Sequence, residues 1–285
     1  MKPCARRMRA IEKNTDAPKM PWKDLEALEN MQYPGRVIII GRDSSGENNV
    51  VVYGITGRSP SSQARELVSE GEATVRTRVT DLAQLKEGNE KLLIYNCIRR
   101  CHDGLVVSNG VQTDLVCETM RELKDKGLSA TPAEILAKSF ARPCLVAGKK
   151  EGEFIDLTSY EPDGPTFTPR ISGCVMKGAA LSIIKRAKDG STTKQFFEVP
   201  LIRGKGKLIT TYAGDNVNPL PSFRGDPIDV QLEGGTAEEV ADAVYRSLTS
   251  PDLKKDFRVG VAVVYSHVKT SETKISLINR HDRER

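Results

Sequence analysis

No apolar run in the chain approaches the ~20 residues that a membrane-spanning helix needs, which argues against a membrane protein. The stretch from Met1 to Arg9 is basic but leads into no apolar signal segment, so a cytoplasmic location is expected rather than export. There is no P-loop, no glycine fingerprint of a dinucleotide site and no internal repeat. Phosphate cradles of those two kinds, and repeat architectures, are thereby set aside. Aromatic residues make up only 5% of the chain and form no stripe with the basic ones, which removes the usual signature of a nucleic-acid surface.

Clustered cysteine is also missing. The six cysteines, at positions 4, 97, 101, 117, 144 and 174, stand singly within apolar patterns. Such thiols act as small buried hydrophobes in a reducing compartment. The run containing Cys97, Cys101 and His102 has no second cluster to complete it. Zinc wants four ligands at recognisable spacing, so neither a metal nor another cofactor is expected.

What is present describes a soluble globular protein. At 285 residues with 38% hydrophobic content, one large domain or two small ones can bury a sizeable core. The net charge of +5 suits an anionic ligand. Its basic residues are interleaved with 38 acidic ones, so a small phosphorylated ligand fits better than a polynucleotide. Between residues 175 and 206 the extra basic residues (Lys177, Lys185, Arg186, Lys188, Lys194, Arg203 and Lys205) read as a solvated hairpin.

Residues 1–30 stand apart as a flexible arm, with a short helix over 22–28 that could cover an edge of the fold. Residues 31–285 read as a single domain. Strands are predicted at 37–41, 50–56, 92–99, 105–108, 154–158, 179–185, 195–199, 207–212, 259–266 and 274–278. A helix is predicted over 114–126, ending at Gly127. Two more start at capping boxes, Thr131-Pro132-Ala133-Glu134 and Thr236-Ala237-Glu238-Glu239. Strands in runs, punctuated by a few helices, indicate an α+β fold. Segments such as Val259 to Val264 are apolar without alternation and should be buried on both faces, as in two sheets with helices outside.

Two blocks concentrate polar side chains at strand ends. They are Tyr95-Asn96-Cys97-Ile98-Arg99 and Val106-Val107-Ser108-Asn109-Gly110, the second followed by Thr113-Asp114. Polar groups carried on rigid strands can be held accurately enough for chemistry. Asn109-Gly110 marks a turn, since both residues tolerate positive φ.

These blocks resemble the archaeal-type IMP cyclohydrolases, and the resemblance runs in order over nearly all of residues 33–280. It includes Tyr33-Pro34-Gly35-Arg36-Val37, Gly57-Arg58-Ser59, Tyr160-Glu161, Thr168-Pro169-Arg170-Ile171 and Thr210-Thr211-Tyr212. It implies the four-layered αββα fold of the N-terminal nucleophile hydrolases, without self-processing. It also implies closure of 5-formamidoimidazole-4-carboxamide ribotide to IMP with loss of water. Under it Glu161 would accept a proton, Tyr95 would donate to the formyl oxygen, and Arg58 would fork onto carboxamide or phosphate oxygens. Arg36, Ser59, Arg65, Asn96, Cys97, Ser108, Asn109, Gly110 and Arg170 would bind the substrate.

Taken singly, each of these polar residues more often serves packing or solvent contact than chemistry; their joint order points to function. The chain departs from the family pattern at Gln112, where a His is common, and at Gln63, near which an Arg is expected. Arg65 stands two residues on from Gln63. These departures motivate an alternative, a purine-nucleotide-binding protein on the same fold without activity. An amide-bond hydrolase would need Ser, Thr or Cys as first residue of the mature chain. Neither Tyr33 nor Gly35, where the fold is expected to begin, supplies one. The implied partner is a purine-precursor nucleotide, with no nucleic acid and no membrane; a homo-oligomer is left open.

Overall fold

A computed structural model describes residues 25–81, 83, 93–102, 104–148, 151–232, 235–251 and 255–283. The arm before residue 25 lies outside them, as does the predicted strand start at residue 92. The fold is α+β, with antiparallel pairings throughout its two large sheets. One sheet contains β1 (Arg36–Arg42), β2 (Asn48–Thr56), β12 (Lys205–Thr210), β13 (Ile228–Gln231), β14 (Arg258–His267) and β15 (Thr273–Asn279), in the order β13-β12-β1-β2-β14-β15. The other contains β3 (Arg65–Glu70), β4 (Thr74–Val79), β5 (Asn96–Cys101), β6 (Gly104–Ser108), β9 (Arg170–Val175), β10 (Ala179–Arg186) and β11 (Thr192–Val199), in the order β11-β10-β9-β6-β5-β4-β3. A separate hairpin pairs β7 (Leu145–Ala147) with β8 (Phe154–Asp156).

Alternation along the strands explains the apolar runs. Ile38, Ile40, Tyr53 and Val264 of the first sheet share one core with Val107, Ile171 and Leu181 of the second. Their neighbours Val37, Ile39, Val52 and Val263 turn the other way and meet Val240 and Val244 of helix α5 (Ala237–Ser247). On the second sheet, Val106, Cys174 and Ile184 meet Val116 and Met120 of α3 (Gln112–Asp125) and Ile135 and Leu136 of α4 (Pro132–Ser139). The segment Val259 to Val264 is buried throughout, as its unbroken hydrophobicity predicts. Both capping boxes form: Thr131 and Thr236 each accept from the backbone of the Glu three residues on, whose carboxylate accepts in return. Among the described residues no helix is long and apolar enough to cross a membrane.

Gly173 shows how close the sheets come. A Cβ there would lie 2.4 Å from the Ile40 side chain, so glycine lets the isoleucine of the opposite sheet sit against the β9 backbone. That Gly and Ser172 also hid the strand in the sequence, because neither favours a pleated surface. β3, β4, β7 and β13 likewise escape the sequence prediction, and α3 begins two residues before its predicted start.

The short helix α1 spans Glu26–Glu29. It lies against α5, with Leu25 and Leu28 in the core that α5 shares with the first sheet. Ser247 donates to Glu29 across the contact at 3.1 Å. Leu28 is fully buried, so Leu28→Ala should cost about 2–5 kcal/mol, read as a lower urea midpoint with unchanged slope; a loss under ~0.5 kcal/mol would place this helix outside the cooperative unit.

The cysteine reading needs one correction. Cys101 and Cys117 are joined by a disulfide, with Cα atoms 5.4 Å apart. Cys101 ends β5 and Cys117 lies on the inner face of α3, which packs on that strand, so contact depends on docking that no periodicity reveals. Cys97 and Cys174 are buried free thiols. Several basic residues of 175–206 also do more than face solvent. Lys185 and Lys194 donate to the carbonyls of Phe223 and Phe140, and the Arg186 guanidinium lies 4.5 Å from the centre of the Phe167 ring.

Candidate active site

The two blocks of the sequence pattern meet at one mouth of the inter-sheet cleft, where the first begins and the second ends. There Arg36 opens β1, Tyr95 precedes β5, Ser108 ends β6 and Arg170 opens β9. A cavity of about 340 Å³ lies at this mouth, lined among others by Arg36, Arg58, Ser59, Asn109, Glu161, Asp163, Thr168 and Tyr212. That size suits a small-molecule ligand.

Buried arginines dominate the site. Arg170 donates through Nε to the Ser159 carbonyl at 2.8 Å, and through one terminal nitrogen to Glu161 at 3.3 Å and Gln112 at 3.4 Å. Its other terminal nitrogen is buried and has no partner among the described residues. Arg65 is fully buried; its Nε donates to the Ser62 carbonyl at 3.0 Å, and both terminal nitrogens lack partners among the described residues. The Nε of Arg36 is in the same condition. Burial and then the neighbouring Arg36 push the Arg65 guanidinium down. For Arg36 burial works in the same direction, but the hydroxyls of Tyr95, Tyr53, Tyr33 and Tyr212 hold it well above the ordinary value.

Glu161 sits inside this positive surrounding and is itself buried. Burial, the largest influence, holds its carboxyl above the usual range against the pull of Arg170; Asp163 adds to burial, while Arg36 and Arg65 add to Arg170. The loop carrying Glu161 is closed by its own bonds. Glu161 N–H donates to the Thr168 carbonyl at 2.9 Å, and Asp163 accepts from the Thr168 backbone and hydroxyl. Thr168 Oγ1 in turn lies 2.8 Å from the Tyr212 hydroxyl.

Asn109 acts as a clip. Its amide donates to the Pro169 carbonyl at 2.9 Å, and its oxygen accepts from Ile171 N–H at 2.9 Å and Gln112 at 2.8 Å. The turn after β6 is thereby tied to the start of β9. A Cβ on Gly110 would come within 2.6 Å of the Gln112 amide oxygen, so glycine is needed for that approach. Ser108 bonds Ser172 at 3.0 Å across the β6–β9 pair.

The remaining sequence candidates fall in different places. Arg58 is half-buried at the cavity wall, with its guanidinium 5.1 Å from the Tyr33 ring centre and bonded to Asn216 and the Val217 carbonyl. Ser59 caps the short helix α2 (Pro60–Gln63). Tyr95 does not line the cavity; its hydroxyl meets that of Tyr53 at 2.7 Å, beside Arg36. Asn96 donates to Asp114, on the α3 side of the sheet. Cys97 lies in the inter-sheet core, where burial pushes its thiol up. Gln63 donates to the Gly57 carbonyl at 3.1 Å.

Tyr53 and Asp163 were not singled out by sequence reasoning, because Tyr53 sits mid-strand and Asp163 in a loop rich in Pro and Gly. Tyr33, Thr168 and Tyr212 stood inside the matching motifs, but only the fold brings them together.

The family described as "IMP cyclohydrolase-like protein" matches residues 33–140 and 151–270. An IMP cyclohydrolase of Methanocaldococcus jannaschii is 26% identical over 81% of this chain and 94% of its own length. One from Haloquadratum walsbyi is 27% identical over 75% of this chain and 83% of its own. Among solved structures, Anbu from Hyphomicrobium sp. strain MC1 aligns over 87% of this chain and 89% of its own at 13% identity, with a TM-score of only 0.32. With both halves of the site inside the two matched segments, the chain belongs to the family of IMP cyclohydrolase-like proteins.

Proposed function

We propose that the chain is an IMP cyclohydrolase, closing 5-formamidoimidazole-4-carboxamide ribotide to IMP with release of water. The observation that carries this reading is the set of buried guanidinium nitrogens on Arg36, Arg65 and Arg170 that lack partners beside a buried carboxylate. Such donors favour a ligand that brings its own anionic oxygens. The activity of the two archaeal relatives supports the choice of ligand.

The reaction forms one bond, from the carboxamide nitrogen to the formyl carbon, and then breaks the bond from that carbon to the former formyl oxygen. The oxygen leaves as water, taking up one proton equivalent from the carboxamide nitrogen and one from the formamido nitrogen. Glu161 is the acceptor for the carboxamide proton, since a carboxyl held high by burial is a stronger base than a solvated one. Donation toward the formyl oxygen as it gains charge is assigned to the Tyr95–Tyr53 pair, which lies behind Arg36 of the cavity wall. Arg58, with Arg36, Arg65 and Arg170, holds carboxamide and phosphate oxygens. Ser59, Asn109 and Gly110 shape the wall; Asn96, Cys97 and Ser108 support the strands beneath it. Because both reacting groups belong to one molecule, holding them in plane supplies much of the acceleration.

The same reading extends to the fold, as a four-layered αββα arrangement like that of the N-terminal nucleophile hydrolases but without self-processing. Helices packed on the outer face of each sheet support it.

Tyr95→Phe, which nearly preserves shape, should lower cyclisation turnover by about two to four orders of magnitude, measured spectrophotometrically on the formylated ribotide. Tyr53→Phe serves as its companion and should have the smaller effect. A near-normal rate in Tyr95→Phe would remove the tyrosine from the mechanism. The second reading, an inactive purine-nucleotide-binding protein, draws on Gln112: its amide braces Asn109 and Arg170 and cannot titrate there as a His would.

A further inference from the structure

The opposite mouth of the same cleft holds a second cavity, also of about 340 Å³, that the cyclisation does not use. β1 runs from Arg36 at the first mouth to Arg42 at this one, and β9 runs from Arg170 to Val175. At ~3.4 Å per residue the two mouths lie roughly 20 Å apart. Among the described residues, four basic side chains line the second cavity, Arg42, Arg100, Lys177 and His267, and no Asp or Glu does. None of the four makes an ion pair among the described residues.

The two arginines and the histidine are held in place rather than scattered. Arg42 donates to the Asn49 side chain at 3.0 Å and to the Gly46 carbonyl at 3.3 Å. Arg100 donates through a terminal nitrogen to the Ser271 carbonyl at 2.5 Å, while its Nε is buried without a partner. Ser271 itself takes up positive φ, +59°, a backbone state that non-glycine residues adopt rarely. His267 Nδ1 accepts from the Thr270 backbone at 3.1 Å. That bond assigns the ring proton to Nε2, which is then a further donor.

We propose that this cavity is a second anion site, which takes a phosphate-bearing small molecule between Arg42 and Arg100, with Lys177 and His267 completing the cradle. Basic groups that no described carboxylate neutralises concentrate small anions in a cleft. An oxyanion would satisfy Arg100 Nε, as well as the donors on Arg42 and His267 that point to no carboxylate. The site is separate from the cyclisation site and does not depend on that assignment.

Calorimetric titration of the full chain with inorganic pyrophosphate tests the proposal, with a nucleoside diphosphate as the second arm to separate free phosphate from a nucleotide. The Arg42→Gln/Arg100→Gln double variant should weaken pyrophosphate binding by at least ~10-fold, since each charge-assisted contact is worth about that much. Arg65→Met, at the other mouth, should change it less than ~2-fold by the usual independence of distant sites. Lys177 is exposed, so Lys177→Ala should weaken binding by about 3-fold without touching the fold, and keeps the test open if the double variant does not fold. The proposal is overturned by no binding at millimolar pyrophosphate, by equal binding in all variants, or by loss of binding in Arg65→Met alone. A larger loss of diphosphate binding than of pyrophosphate binding in the double variant would assign the site to a nucleotide; the reverse would assign it to the free anion.

Discussion

Replacing Glu161 with Gln should lower cyclisation turnover by about two to four orders of magnitude, the range typical of a positioned acid or base. Folding should be nearly unaffected. Gln keeps an acceptor oxygen for Arg170, which now sits 3.3 Å from Glu161, and it relieves the desolvation that opposes the buried charge. The pH dependence adds a second readout. A proton acceptor held high is protonated and idle in acid, so turnover should rise with pH through a value above the ~4.3 of a free Glu, and the variant's residual rate should lack that limb. Stability runs in the opposite sense. The folded state holds the Glu161 proton more tightly than the unfolded chain does, so this contribution is fully present below ~4.3 and is lost as pH rises through the raised folded value. Near-normal turnover with an unchanged acid limb would exclude Glu161 as the acceptor.

Arg65→Met separates binding from stability. Met roughly conserves volume while removing a charge whose two terminal nitrogens are buried and without partners among the described residues. Breaking the Nε bond to Ser62 costs about 1 kcal/mol, but an uncompensated buried charge costs more, so the free variant should melt at the same temperature or higher. With substrate the sign reverses. Loss of charge-assisted bonds of ~1.5–3 kcal/mol should raise KM about 10- to 100-fold, with kcat changed far less. An unchanged KM would show that Arg65 does not replace the arginine expected near Gln63.

The parts of the fold that were legible in the sequence are those in which local chemistry and burial agree. Both capping boxes and the long strands β1, β2 and β14 are of this kind, because Thr-x-x-Glu and unbroken Val/Ile runs have few other uses. β3 and β4 carry alternating charges such as Arg76 and Arg78 on an exposed face, and their apolar content is too thin to signal a strand without the sheet beside them. The Cys101–Cys117 disulfide depends on how α3 docks, which spacing does not encode.

The site divides in the same way. Arg36, Arg58, Ser59, Asn109 and Glu161 come to one cavity wall. Asn96 turns to the helix side because successive strand residues face opposite ways. Tyr53 and Asp163 gain meaning only through the partners that the fold brings to them, Tyr95 and Thr168.

The most direct measurement is the fate of the formylated ribotide incubated with purified full chain, followed by absorbance and by separation of the nucleotides. A cyclohydrolase converts many equivalents of ribotide to IMP per chain, at a rate that Glu161→Gln removes. Tight IMP binding with ribotide consumed no faster than in buffer would contradict catalysis and leave a nucleotide-binding protein in its place.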